Sequence, residues 1–518
     1  MEDADAQAAV FQYLGDPATH GNRRVRRIDT HANVVFLAGD RALKVKRAVR
    51  LPFLDYSTLA KRKAACASEL EVNRTFAPEL YRRVVPITRN SSGRLALDGD
   101  GETIEWAVEM LRFDESQTLD RIAEVRGIDD ALARGLAETI VAMHARVPVV
   151  DANSWTAALD RFLEQDAAAF REAPALFPPD LAAKLDHAAR AALERLRPLF
   201  ASRGRRGLIR RGHGDLHLGN IALLEGRPVP FDAIEFDPDV AAGDVLYDLA
   251  FLLMDLLERG FDRAANIVMN GYFAQIARAE DLDGLAALPF FLSLRAAIRA
   301  KVTAARLQYA DAKEQAALGE AAKTYFRLAV ELLSPPPPTL IAIGGLSGTG
   351  KSSLARELAS HVAPAPGALL LRSDVERKKL FGVPETEHLS ADAYGVEVSA
   401  KVYGTTADKA ARIIAAGHSA IVDAVFAKPD ERAAIAAVAA PAGISFRGLF
   451  LVADLQTRIN RVGTRGLDAS DANAAVAFQQ ESFALGTIEW TVIDASGSLP
   501  ETLERARAAL RRHGGGQP

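Results

Sequence analysis

The sequence predicts a chain of at least two domains, the last an α/β domain built on a five-stranded parallel sheet. Three observations carry this. The chain has 518 residues, too many for one hydrophobic core. "SPPPP", Ser334 to Pro338, cannot enter a helix or a central strand, because proline lacks the amide donor and fixes φ. It favours a stiff, extended spacer. Beyond it, short β-branched apolar runs alternate with helical stretches, the pattern of a parallel sheet. The expected boundaries are therefore a first part at 1–333, a spacer at 334–338 and a last domain at 339–518. The terminal "GGGQP" reads as a disordered tail.

Composition narrows the class. Hydrophobic residues make up 49% and charged residues 25%, as in ordinary globular proteins. With 63 basic and 67 acidic residues the net charge is -4, which argues against a nucleic-acid coat or an anionic-membrane anchor. Cys66 is the single cysteine, so no internal disulfide or cysteine metal cluster can form. "MEDADAQAAVFQYLGD" is acidic and lacks the apolar core of a signal peptide. "DLAFLLMDLL" falls short of the roughly 20 residues that cross a bilayer. The expectation is a cytoplasmic protein without a membrane partner; nothing points to nucleic acid, and oligomeric state is not legible.

In the first part, "DDALARGLAETIVAMHARV" carries apolar residues at helical spacing. In "ALKVK", Lys44 and Lys46 fall on one face of a strand, since side chains alternate. "RRGHGDLHLGNIALLEGRPVPFDAIEFD" is the most informative stretch. His213, Asp215 and Asn220 fit H-x-D-x-x-x-x-N. In phosphoryl-transfer chemistry such an Asp deprotonates the acceptor hydroxyl, and the Asn five residues on holds Mg²⁺. Asp232, after the apolar "VPF", stands where a second metal-binding Asp is needed, because oxygens from two turns must converge on metals that bridge the phosphates.

In the last domain "TLIAIGG" reads as a buried strand and "SSLARELASHV" as a helix. Between them Gly345, Gly350, Lys351 and Ser352 fit G-x-x-x-x-G-K-[ST]. The glycines let backbone amides curl around phosphates, Lys351 neutralises their oxygens and Ser352 holds Mg²⁺. Ser347, Gly348, Thr349 and Ser353 complete this nucleotide-binding turn. Further strands are expected at "ALLLRSD", "SAIVDAVF", "FRGLFLVAD" and "TVIDAS". Ligands sit at the carboxyl ends of such strands, which is where Asp374 and Asp423 fall. Either could accept the hydroxyl proton or hold Mg²⁺ through water. Arg458, Arg461 and Arg465 share one short stretch, suited to closing over a transferring phosphoryl group.

Residues 339–518 resemble the P-loop small-molecule and polynucleotide kinases, a group that includes the zeta toxins. The resemblance implies Asp374 as the hydroxyl-activating base, Arg377 as a substrate or phosphate contact, Asp423 at the metal, and Arg461 and Arg465 on the nucleotide. Residues of roughly 20–330, through "HGDLHLGN" and "FDAIEFD", resemble the aminoglycoside phosphotransferase-like family. That resemblance implies an α+β protein-kinase-like fold of two lobes, about 1–112 and 113–333. "THANVVFLAGDRALKVKR" looks like its two strands and nucleotide loop, with Thr30, Ala32 and Asn33 in place of the protein-kinase glycines. Lys44 is the preferred phosphate-gripping lysine over Lys46, and Glu69 its preferred acidic partner over Glu71. "AVEMLRF" would link the lobes, with adenine against the backbone of residues 109–111. His217 stands where many protein kinases carry a lysine. Asp244 and Asp248 would anchor the catalytic loop. Arg295, Arg299 and Arg306 share a helical face, as an anionic substrate or a structural stripe would require.

These features imply ATP and Mg²⁺ as cofactors and hydroxyl-bearing small molecules as acceptors. Three readings compete: two ATP-dependent phosphotransferase sites, one catalytic half with a nucleotide-sensing regulatory half, or a toxin-like kinase acting on a macromolecule. Two intact residue sets favour the first.

Overall fold

The structure, a computed structural model, describes residues 2–51, 54–275, 278–464 and 468–512. Arg465 and the "GGGQP" tail lie outside the described residues. Two compact units divide the chain, residues 1–256 and 257–518.

After an opening helix, Glu2–Gly15, the first unit is built on an antiparallel sheet of β1 (Val25–Asp29), β2 (Asn33–Ala38), β3 (Arg41–Lys46), β4 (Tyr81–Arg89), β5 (Leu95–Leu97) and β6 (Glu102–Leu111), in the order β1-β2-β3-β6-β4-β5. Helix α1 (Leu59–Phe76) starts where the Thr58 hydroxyl accepts from the Lys61 amide, a side-chain N-cap. Cys66 of α1 is buried in a cluster with Leu37, Ala42, Leu80, Val108 and Met110, so helix and sheet share a core. Burial pushes the Cys66 thiol up to about 12, which leaves it unreactive. A hairpin, β7 (Ile221–Leu224) and β8 (Arg227–Pro230), separates the HGD stretch from Asp232. Behind them runs α2 (Val245–Glu258), buried along its length from Val245 to Leu256.

The second unit begins with α3 (Asp262–Ala274), α4 (Leu288–Ala305) and α5 (Ala312–Leu333). After the prolines come β9 (Thr339–Gly345), β10 (Leu369–Arg372), β11 (Ala420–Asp423), β12 (Ser445–Val452) and β13 (Thr491–Asp494). All pair in parallel, in the order β10-β11-β9-β12-β13. The five expected strands are these five. Ile341 and Ile343 of β9, Ile421, Leu449, Leu451 and Ile493 join Leu354 and Leu358 of α6 (Lys351–Ala359) in one core.

The junction between the two compact units and the expected boundary at 334–338 fall at different places. The physical reason is α3. Its Asn270 accepts from the Leu370 amide at 2.7 Å and donates to the Ala368 carbonyl at 3.1 Å. Arg263 pairs with Glu357 at 2.8 Å. Proline ends a helix in sequence, but side chains upstream of it finish the exposed edge of β10.

Candidate functional site

In the first unit the pleat brings Lys44 and Lys46 to one carboxylate. Lys44 Nζ lies 2.7 Å from Glu69 and 2.6 Å from Asp232. Lys46 Nζ lies 2.6 Å from Glu69 and 2.5 Å from Glu235, with Tyr56 donating to Glu235 at 3.2 Å. Lys46 is 1% exposed against 11% for the Lys44 side chain. That difference leaves Lys44 the more accessible of the two lysines and Lys46 locked inside. Glu71 is exposed. Burial opposes the Lys44 charge, but the Asp232 and Glu69 carboxylates outweigh it and hold the ammonium well above its ordinary value. Burial likewise opposes the Glu69 charge, and the two lysines overcome it, lowering its pKa.

The HGD stretch is held from behind. Asp248 on α2 accepts from the amides of His213 at 2.9 Å and Gly214 at 3.0 Å, and Asp255 accepts from Leu218 at 2.9 Å. A Cβ on Gly212 would stand 2.7 Å from the Asp248 carboxylate, so only glycine lets the strand approach. Asp244 was expected to share the anchoring; it pairs instead with buried Arg203 at 2.5 Å and caps its own helix at the Leu246 amide. His213 Nε2 donates to the Phe231 carbonyl at 2.9 Å, and burial keeps its pKa below the ordinary value. The ring thereby ties the HGD stretch to the Asp232 turn.

Asn220 Nδ2 donates to Asp215 Oδ2 at 2.9 Å and to the Asp215 carbonyl at 3.0 Å. This aims the Asp215 carboxylate and leaves Asn220 Oδ1 as the atom able to meet a metal. His217 Nδ1 accepts from the Gly219 amide at 3.1 Å. The ring proton then sits on Nε2, 3.5 Å from Asp215. Asp232 adopts φ +61°, costly for a residue with a Cβ, and its amide donates to the Tyr81 hydroxyl at 3.1 Å. The oxygen set of Asn220 and Asp232 is the hard set that Mg²⁺ takes. The expected lobe linker shifts: residues 107–111 belong to β6, where Glu109 is in register with Leu43 on one side and Arg83 on the other. Its backbone is committed to the sheet, so a base would have to meet the chain beyond Leu111.

In the second unit the phosphate loop leaves β9 with positive φ at Gly345, Gly348 and Gly350. Lys351 donates to the Leu346 carbonyl at 3.2 Å, and the Thr349 hydroxyl donates to the same oxygen at 2.8 Å. Ser352 Oγ donates to Asp423 Oδ2 at 2.5 Å. This hydroxyl–carboxylate pair suits a hydrated Mg²⁺. Ser353 follows on α6. Asp374 sits at the start of α7 (Ser373–Leu380), beyond β10. Burial and the nearby Asp423 charge raise its pKa, against Lys351, Arg372 and a hydrogen bond from Ser470. Arg372 meets Asp423 at 3.5 Å and Asp468 at 2.9 Å.

Arg377 and Arg461 have partners already. Buried Arg377 donates to the Ala393 carbonyl at 2.6 Å and lies 4.7 Å from the Tyr394 ring centre. Arg461, on α10 (Leu455–Gly463), donates to the carbonyls of Ala495 and Gly497, both at 2.7 Å. Arg458 is buried among protein partners. Arg295 is buried and Arg299 lies 5.4 Å from the Tyr325 ring centre, as in a structural stripe.

A cavity of 290 Å³ opens between α8 (Val396–Ala415), α9 (Pro429–Ala437) and the end of β11. Ser373, Tyr403, Gly404, Thr406, Phe426 and Glu431 are among its lining residues. A Cβ on Gly404 would meet nothing within 4 Å. No sequence signal marked this cavity, because its walls come from three separated segments.

The chain belongs to the phosphotransferase enzyme family, whose model matches residues 20–288, more than half its length. A model of an AAA domain matches residues 340–484. Two kinase-like domains are thus joined, one aminoglycoside phosphotransferase-like and one of P-loop type. Uncharacterized proteins of Mycobacterium tuberculosis and Mycobacterium bovis are 28% identical over 489 residues, covering 92% of this chain and 94% of theirs. Among solved structures, a choline/ethanolamine kinase family protein from Mesorhizobium loti is similar at 15% identity and TM-score 0.35, over 63% of this chain and 99% of that one. The APS kinase CysC of Mycobacterium tuberculosis is similar at 23% and 0.26, over 34% and 99%. A gluconokinase from Sinorhizobium meliloti is similar at 20% and 0.25, over 34% and 93%. Among the described residues no helix is long and apolar enough to cross a membrane.

Proposed function

We propose that the protein transfers the γ-phosphoryl group of ATP to hydroxyl groups of small-molecule acceptors at two separate sites. The observation that carries this is the same division of labour in each unit. In the first, Lys44 is paired with Glu69, and Asn220 and Asp232 supply oxygens for Mg²⁺ beside Asp215. In the second, Lys351 stands in the phosphate loop, and Ser352 with Asp423 supplies oxygens beside Asp374. Bound Mg²⁺ would neutralise phosphate charge at either site.

Within this reading Asp215 accepts the acceptor proton in the first unit, held in aim by Asn220. Asp374 does so in the second, where its raised pKa brings it nearer the range of an effective base. Arg377, committed to Ala393 and Tyr394, shapes the acceptor side, while Arg461 is the candidate contact to the nucleotide. The cavity beside Ser373 is the candidate acceptor pocket of the second unit. Its size suits a small molecule.

The test is a metabolite screen with γ-labelled ATP on the full chain, run in parallel on Asp215→Asn and Asp374→Asn. Each variant should lose labelling of one acceptor class by about 10²-fold or more while keeping the other. Loss of neither class in either variant would refute the assignment.

A further inference from the structure

The outer side of the phosphate loop is gripped by side chains from a distant segment. Ser347, third in the loop, donates its backbone amide to Gln480 Oε1 at 2.7 Å. Its carbonyl accepts from Arg458 Nε at 3.0 Å. Gln480 is 7% exposed and Arg458 2%, so both bonds are shielded from water. Gly348 is pressed against the same helix: a Cβ there would stand 2.5 Å from the Arg458 carbonyl oxygen. Arg458 also donates to the Ala477 carbonyl at 2.6 Å and pairs with Glu481. One guanidinium therefore binds the loop and the segment of residues 474–482 together.

A phosphate loop holds an anion because successive amides converge on it. An amide already donated outward to a side chain cannot turn inward. With both polar groups of Ser347 fixed from outside, the two peptide planes that flank it, including the one that carries the Gly348 amide, have their direction set before any ligand arrives. Such pre-organisation saves ordering entropy at binding.

We propose that Gln480 and Arg458 are positioning residues for the second nucleotide site, which make the phosphate loop and residues 474–482 move as one body. This rests on the reading of that loop as an ATP site. The coupling runs both ways: filling the loop steadies residues 474–482, and loosening that segment weakens the loop.

Amide hydrogen exchange on the full chain, titrated with Mg-ATP, tests this site by site. In the wild type, peptides covering 345–353 and 474–482 should gain protection with one shared half-saturation. Gln480→Leu removes the accepting oxygen. It should speed exchange of 345–353 without ligand and raise the half-saturation there about tenfold, the effect of one buried hydrogen bond. Peptides covering 33–46 in the first unit should saturate as before. Gln480→Glu keeps an accepting oxygen and should exchange in 345–353 at the wild-type rate without ligand. Unchanged half-saturation in Gln480→Leu, with or without a lower thermal midpoint, would show a merely structural role and overturn the inference. So would equal unliganded exchange in the two variants, or protection of 345–353 without 474–482 in the wild type. Absence of any Mg-ATP protection of 345–353 in the wild type would instead remove the ATP-site reading beneath it.

Discussion

At the scale of single residues, similar charges have been given different work by burial. Lys44 and Lys46 share Glu69, yet only Lys44 keeps an exposed edge. Lys44→Ala should therefore weaken Mg-ATP protection of the first unit. Lys46→Ala should act on stability, because it strands Glu235 without its cation and leaves Glu69 with Lys44 alone. Breaking a buried pair costs about 3–5 kcal/mol, and denaturant unfolding should show a loss of that order. The pH sign follows from Glu69, whose folded pKa is lowered. Its stabilisation is present above the unfolded value of 4.5 and is lost as pH falls through the lower folded value. Asp374 has the opposite sign. Its folded pKa is raised, so its charge penalises the unliganded fold once pH exceeds that value, and the penalty is absent below 3.8. Asp374→Asn should raise the unfolding midpoint at pH 7 and lose that gain below pH 3.8, while abolishing transfer at the second site. A variant less stable than wild type at pH 7 would contradict this.

At the scale of elements, the HGD stretch takes its shape from α2. Asp248 uses one oxygen for the His213 amide and the other for Gly214. Asn in its place can accept at only one atom, which leaves a buried amide unpaired at a cost of about 1–3 kcal/mol. Asp248→Asn should thus lower both the unfolding free energy and turnover at the first site, while leaving exchange protection of residues 345–353 unchanged. Motif spacing named the candidate residues of this stretch but not their support. The residues behind the HGD stretch lie about thirty to forty positions downstream, and nothing in a single sequence distinguishes Asp248 from Asp244. Only the direction of each side chain, Asp244 just before α2 and Asp248 on its first turn, separates the Arg203 partner from the loop anchor.

At the scale of the whole molecule, the proline run and the contact boundary mark different things. The prolines separate two kinase-like sequences. The contacts keep α3 with the parallel sheet through Asn266, Asn270 and Arg263. A fragment of residues 339–518 carries every strand of that sheet but leaves the β10 edge unpaired, and such edges favour association. It should fold with a lower thermal midpoint and a stronger tendency to aggregate than a fragment of residues 257–518. Equal midpoints and solubility for the two would show that α3 adds nothing to the sheet.

What the sequence determined alone was local: the phosphate loop between strand and helix, the five parallel strands, and the H-x-D-x-x-x-x-N spacing with its following Asp. Each follows from backbone periodicity or from ligands a fixed number of residues apart, which a linear code can hold. Tertiary structure decided the rest. It buried Lys46 more deeply than Lys44, gave Asp248 the loop and Asp244 an arginine, and brought Gln480 to Ser347 across more than a hundred residues. Those outcomes depend on which side chains meet after packing, and on how much water each loses there.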